Sequence, residues 1–63
     1  MYGIYKVVGM DYDLWDMRGY DVINEITIIL IANSEEEAIQ KVKENPEFKR
    51  ETYTSTRVGD LLP

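Results

Sequence analysis

The stretch from residue 22 to residue 46, VINEITIILIANSEEEAIQKVKENP, constrains this chain more than any other, because it runs an apolar strand straight into a capped helix. Ile26, Ile28, Leu30 and Ala32 alternate with Thr27, Ile29 and Ile31, and β-branched residues favour a pleated backbone. Residues 25–27 still alternate polar with apolar, but from Ile28 to Ile31 both faces are apolar. Such a strand is usually central in its sheet and covered on both sides. One small helix covers one face only. The other face must be met by the 11–21 loop, by the C-terminal tail or by a second copy of the protein.

The strand stops at Asn33-Ser34. Ser34 is a good N-cap, and Glu37 three positions on completes the S-x-x-E capping box. Glu35, Glu36 and Glu37 put negative charge on the first turn, where the helix dipole favours it. Ala38, Ile39 and Val42 fall within about 100° on a helical projection and form one narrow apolar stripe. Glu37 and Lys41 stand four apart in the favourable order, and the carboxylate is expected not to serve cap and ion pair fully at once. Pro46 forbids continuation and pushes Asn45 out of the α region. The helix is expected over 35–45.

Sixty-three residues make a single domain, 1–63, near the lower limit for folding without staples. The chain has no Cys and no His, so it lacks disulfides, thiolate metal sites and the commonest general base. No apolar run approaches the roughly 18 residues of a membrane span. The N-terminus MYGIYKVVGM has no basic region followed by a long apolar one, so a signal peptide is not expected. These features set the expectation of a cytoplasmic protein.

The net charge of −5 is unevenly placed. Residues 11–37 carry eight acids against the single base Arg18, a local balance of −7, whereas residues 38–63 carry five bases against four acids. Such a field favours a basic partner surface and disfavours nucleic acid. Lys49, Arg50 and Arg57 leave a weaker reading in which a basic edge touches nucleic acid.

Residues 1–10 read as the first strand, with Ile4, Lys6, Val8 and Met10 on one face and Tyr5 and Val7 on the other. Gly3 and Gly9 weaken it or permit a bulge or close approach. Residues 11–21, DYDLWDMRGYD, form the most individual segment: a long loop, parts of which extend the flanking strands into a hairpin arm, with a turn point at Gly19. Two accounts of its apolar side chains stay open. Leu14, Trp15 and Met17 fold back to extend a small core, or Trp15 and the tyrosines anchor a partner, as aromatics and Met do at interface centres. On the second account the partner-binding residues are Asp11, Tyr12, Asp13, Leu14, Trp15, Asp16, Met17, Tyr20 and Asp21.

After Pro46, residues 47–58 read as a third, edge strand, with Phe48 under the end of the helix and basic residues discouraging stray pairing. Gly59-Asp60 ends it, and Leu61-Leu62-Pro63 forms a short apolar tail. The fold class is α+β: a small three-stranded, mainly antiparallel sheet with one helix packed on one face, in the order β-β-α-β. The doubly apolar second strand argues for spatial order 1-2-3, the preference of small sheets for antiparallel pairing argues for 2-1-3, and a second strand that is an edge within one chain and pairs with its counterpart in another copy satisfies both. Self-association, as a homodimer, is expected from the apolar surface that a monomer leaves over.

Tests for chemistry return little. Asp11, Asp13 and Asp16 suggest a calcium loop, but the EF-hand positions five, six and twelve fall on Trp15, Asp16 and Val22. Ser34 and Ser55 have no His partner, the glycines form no phosphate loop, and paired carboxylates lack a cleft to work in. No enzyme activity, metal or cofactor is expected.

The junction IANSEEEAIQKV, residues 31–42, resembles a strand-to-helix phrase, A-x-S-x-E-E-A-I, of small accessory proteins carried by bacteriophages and mobile elements. That resemblance implies a binding protein acting on a host or phage protein. Several such proteins are acidic inhibitors, some imitating the phosphate pattern of nucleic acid. No residue role transfers on this match. The leading expectation is a non-enzymatic acidic binding protein, an inhibitor using the 11–21 loop. The alternative is a structural or assembly protein whose apolar surfaces serve homo-oligomerisation.

Overall fold

The computed structural model describes residues 2–14 and 19–60. Strand β1 (Gly3–Leu14) and strand β2 (Tyr20–Ala32) form a long antiparallel hairpin. Helix α1 (Glu35–Lys43) follows, then a single 3-10 turn (Pro46–Phe48) and strand β3 (Thr52–Asp60). The sheet order is β2-β1-β3, with β1 antiparallel to both neighbours. This selects the 2-1-3 order. The doubly apolar β2 is an edge strand, not a central one.

The helix starts where its capping residues dictate. Glu37 N–H donates to Ser34 Oγ at 3.1 Å, and Glu37 Oε2 accepts from Asn33 N–H at 2.9 Å. Glu37 Oε1 also stands 3.5 Å from Lys41 Nζ. One carboxylate therefore serves the cap with one oxygen and stands in a looser ion pair with the other, while Lys41 Nζ donates to the Ile31 carbonyl at 3.1 Å. The helix ends at Lys43, two residues short of the expected end. Asn45 then caps a new turn, its Oδ1 accepting from Glu47 N–H at 3.0 Å, with Pro46 supplying a fixed φ at the first position.

That turn overrides the expected strand start at residue 47. It folds Phe48 against the core and delays β3 to Thr52. At the far end β3 runs through Gly59 to Asp60, where a stop was expected, because Gly3 and Ile4 of β1 continue the ladder. The first strand likewise runs on to Leu14, four residues beyond Met10.

The core lies between α1 and one face of the sheet. Tyr5, Val7, Ala32, Ala38 and Val42 are buried, and Ile26, Ile28, Leu30, Ile39, Phe48 and Tyr53 pack around them. Gly9 makes this possible. A Cβ there would stand 3.0 Å from Arg50 Cγ and 3.1 Å from the Tyr53 ring, so the glycine lets the Arg50 stem lie close across this face of β1. Neither the helix nor the 3-10 turn covers the second face among the described residues. The molecule is a slab of 50 × 22 × 14 Å.

Candidate functional site

Strand β3 leaves the sheet at the Met10–Thr52 rung, and the hairpin of β1 and β2 runs on without it. Four rungs build this two-stranded arm: Asp11–Ile23, Tyr12–Val22, Asp13–Asp21 and Leu14–Tyr20. Most of the segment expected as a loop is thus strand. Trp15, Asp16 and Met17 lie outside the described residues, as does the 61–63 tail. Gly19 has a φ of 133°, which suits it to the turn point expected there.

The arm starts at a β-bulge. Between the Gly9–Ile26 and Asp11–Ile23 rungs, β2 spends one residue more than β1. Asn24 absorbs it in a left-handed conformation, φ 50°, which Asn tolerates better than most residues. A bulge reverses the alternation beyond it. Val22 is thereby placed on the face that carries Ile29 and Ile31, and Ile23 is moved to the other.

Side chains fasten this junction where the ladder ends. Asp11 Oδ1 accepts from Glu51 N–H at 2.8 Å, and Glu51 Oε2 accepts from Tyr12 N–H at 2.8 Å. The two carboxylates extend by one rung the pairing that the β1 and β3 backbones have given up. Asp11 Oδ2 also accepts from Asn24 Nδ2 at 3.3 Å. Arg50 completes the latch: its Nε donates to the Asn24 carbonyl, and its Nη1 donates to the carbonyls of Glu47 at 3.0 Å and Lys49 at 2.8 Å. The Tyr53 hydroxyl accepts from Arg50 N–H at 2.7 Å and donates to the Phe48 carbonyl at 2.9 Å.

Of the partner-binding residues expected from sequence, Asp11 is held in this latch, while Asp13 and Asp21 face solvent as a directly opposed pair. Like charges opposite one another on a strand pair destabilise it by roughly 0.2–1 kcal/mol. Tyr12 and Val22 form the adjacent rung on the other side, 37% and 48% exposed. Leu14 and Tyr20 supply the last backbone rung. The arm is therefore two-sided: Asp11, Asp13, Asp21 and the 41% exposed Ile23 share one surface, and Tyr12 and Val22 lie on the other. Sequence reasoning missed Asn24 and Glu51, and read Arg50 as a base of an exposed edge. A lone Asn inside a β-branched run was the available signal for the bulge; nothing local marks Glu51, forty positions from Asp11.

The three bases of the weaker reading are not brought together. Lys49 and Arg50 line a pocket of about 300 Å³ with Lys43, Glu51 and Tyr53, but Arg50 is committed to three carbonyls there. Arg57 stands further along β3, with Nη2 2.5 Å from Asp60 Oδ1 and its guanidinium 5.9 Å from the Tyr5 ring centre. Its hydrogen bond to Asp60 holds its pKa above the ordinary arginine value. No cluster of three or more metal-ligating side chains occurs among the described residues, and no described helix is long and apolar enough to cross a membrane.

Fold and arm together define a small α+β protein with a projecting acidic hairpin. Comparison of the chain with protein-family models, curated proteins and solved structures gives no match.

Proposed function

We propose that this is a non-enzymatic binding protein that applies its acidic arm to a basic surface of another protein. The observation that carries this reading is the Asp13–Asp21 rung, two exposed carboxylates set opposite each other on an arm that none of the described residues covers. Alone, the pair costs stability. Against lysines or arginines of a partner, the same pair steers association and sets orientation. Asp16, Trp15, Met17, Leu14 and Tyr20 belong to the same proposed surface by their position in the chain around the arm. A basic surface that serves nucleic acid is the natural target of such an arm, and occupying it is inhibition. An accessory protein of the bacteriophage type, working in the cytoplasm, fits this role.

The test is a capture experiment from bacterial lysate with wild type beside the Asp13→Asn/Asp21→Asn double variant, followed by kinetics on the captured protein. The expected result is a basic protein that is held by wild type and lost by the variant, with an association rate that falls as salt rises. A rate unchanged between low and high salt, or equal capture by both proteins, overturns the proposal. The double variant should itself be more stable by about 0.2–1 kcal/mol, since it loses a like-charge rung. That gain separates loss of binding from loss of fold.

A further inference from the structure

A pocket lies beside the latch, at the corner where the end of α1, the 3-10 turn and the start of β3 meet. Lys43, Lys49, Arg50, Glu51 and Tyr53 line its volume of about 300 Å³, at the lower end of the range for small-molecule sites. Local chemistry builds it. Gly9, opposite Tyr53 on β1, carries no side chain, so the Tyr53 ring and the Arg50 stem lie against the strand. The turn that Asn45 and Pro46 start then brings residues 49–51 round beside Lys43.

Three positive charges share this pocket with one carboxylate, in a chain of net −5. The carboxylate is engaged, because Glu51 Oε2 accepts from Tyr12 N–H at 2.8 Å. The bases have no acid partners. Among the described residues the ion pairs are Lys41 with Glu37 and Arg57 with Asp60, and neither belongs to this pocket. Arg50 is oriented by the carbonyls of Asn24, Glu47 and Lys49, which fix the guanidinium and leave its full charge in place. Its Nη2 makes no hydrogen bond among the described residues. Lys43 Nζ stands 5.4 Å from the centre of the Tyr53 ring, a contact that holds the ammonium at the pocket without neutralising it.

The helix dipole accounts for a base in the last turn of α1, and so for Lys43 by itself. It does not account for Lys49 and Arg50 beyond the turn, where three like charges gather at a cost in repulsion. We infer that this pocket binds a small phosphate-bearing molecule, with the two ammonium groups and Arg50 Nη2 donating to the phosphate oxygens. Three positive charges against one carboxylate leave an excess of two, and a phosphate monoester carries about −1.5 to −2 at pH 7. A carboxylate ligand would leave half of that excess unmet. Lysine serves phosphate as a mobile point charge and arginine as an oriented fork, and the pocket offers both.

Charge also decides the size of the ligand. The exposed Glu44 and Glu47 flank the lining residues in the chain, Asp11 accepts from Glu51 N–H, and the arm adds Asp13 and Asp21. An extended nucleic-acid backbone would run from the pocket onto these acids and be repelled. A single phosphate group seated among the bases avoids them. The site is separate from the arm's proposed protein-binding surface and does not depend on it.

Titration of the isotope-labelled full chain with phenyl phosphate at low salt, followed through its amide resonances, tests this. The expected result is a saturable shift at Lys43 and at residues 49–53, with a millimolar dissociation constant that rises with salt. Benzoate, the matching carboxylate, should bind at least about tenfold more weakly. The Lys43→Gln/Lys49→Gln variant should also lose at least about tenfold. Both side chains are exposed, and circular dichroism should show the variant folded. Lys6→Gln, which removes a charge from the opposite face of the sheet, should change the constant less than about twofold. No saturable shift up to about 10 mM phenyl phosphate overturns the inference. So does a double variant that binds like wild type, or benzoate that binds as tightly as phenyl phosphate. A single-stranded oligonucleotide that binds more tightly than phenyl phosphate at equal phosphate concentration overturns it too, and gives the bases to nucleic acid instead.

Discussion

Leu30 and Ile31 are neighbours in one strand and meet opposite environments. Leu30 packs against the core under α1, and Ile31 stands 47% exposed on the bare side. The contrast holds across the sheet: Val7 is fully buried by the helix, whereas Ile29, one rung away on the other face, is 60% exposed. Both faces carry the residues of a core. What separates them is that the described residues supply one α-helix, and the nine residues of α1 cover one side. A sequence pattern therefore counts how many faces are apolar without saying what covers each.

The largest effect that could break this comparison is a matched pair of substitutions. Val7→Ala removes two methyl groups from a site without solvent access and should cost about 2 kcal/mol, transfer and cavity terms together. Ile29→Thr keeps a β-branched residue on the exposed face and should cost less than about 0.5 kcal/mol in a chain too dilute to associate. Urea unfolding of both at low concentration decides it. Equal losses would mean that the second face is sealed from within the chain, and the distinction between the faces would fall.

The same contrast shows what was legible beforehand. The α+β class, the helix, its Ser34 and Glu37 cap and the apolar stripe of Ala38, Ile39 and Val42 all follow from local chemistry, which acts over three or four residues. The alternation of β1 was legible for the same reason. Strand order was not. Apolar residues on both faces of β2 argued for a central strand, but the edge position meets that pattern equally well if one face is left bare. The arm was half legible. DYDLWDMRGYD showed its charge and its aromatics, while the bulge at Asn24 and the latch of Asp11 with Glu51 depend on contacts between distant parts of the chain. For the same reason Arg50 read as a surface base when its stem in fact lies across β1 at Gly9 and its guanidinium bonds the carbonyls of Asn24, Glu47 and Lys49.

The latch offers a second way to sharpen the comparison, because it fastens the arm to the covered side of the molecule. Asp11→Ala removes the acceptor for Glu51 N–H and for Asn24, and should cost about 1–2 kcal/mol, as expected for a hydrogen bond to a charged group near the surface. Hydrogen exchange at Glu51 N–H should accelerate, while Val7 and Leu30 amides stay protected. Exchange that rises equally everywhere would show that arm and body open as one unit. Ser34→Ala comes next, at about 1 kcal/mol, through loss of the bond from Glu37 N–H. It should loosen the helix and with it the covered face, leaving the arm rungs unchanged.

The smallest effect concerns a flaw on the covered side. Ser55 lies opposite Val7 beneath the helix, and its hydroxyl is buried without a hydrogen-bond partner among the described residues. A buried hydroxyl left unpaired loses its hydration and gains nothing in return, whereas a methyl group of similar size carries no such penalty. Ser55→Ala should therefore stabilise the protein by about 0.5–1 kcal/mol, with the midpoint of urea unfolding raised and its slope unchanged. The equivalent change on the bare side, Thr54→Ala, removes a hydroxyl already in water and should do little or slightly weaken the strand. If both substitutions act alike, water reaches Ser55, and the helix covers this face less completely than Val7 alone implies.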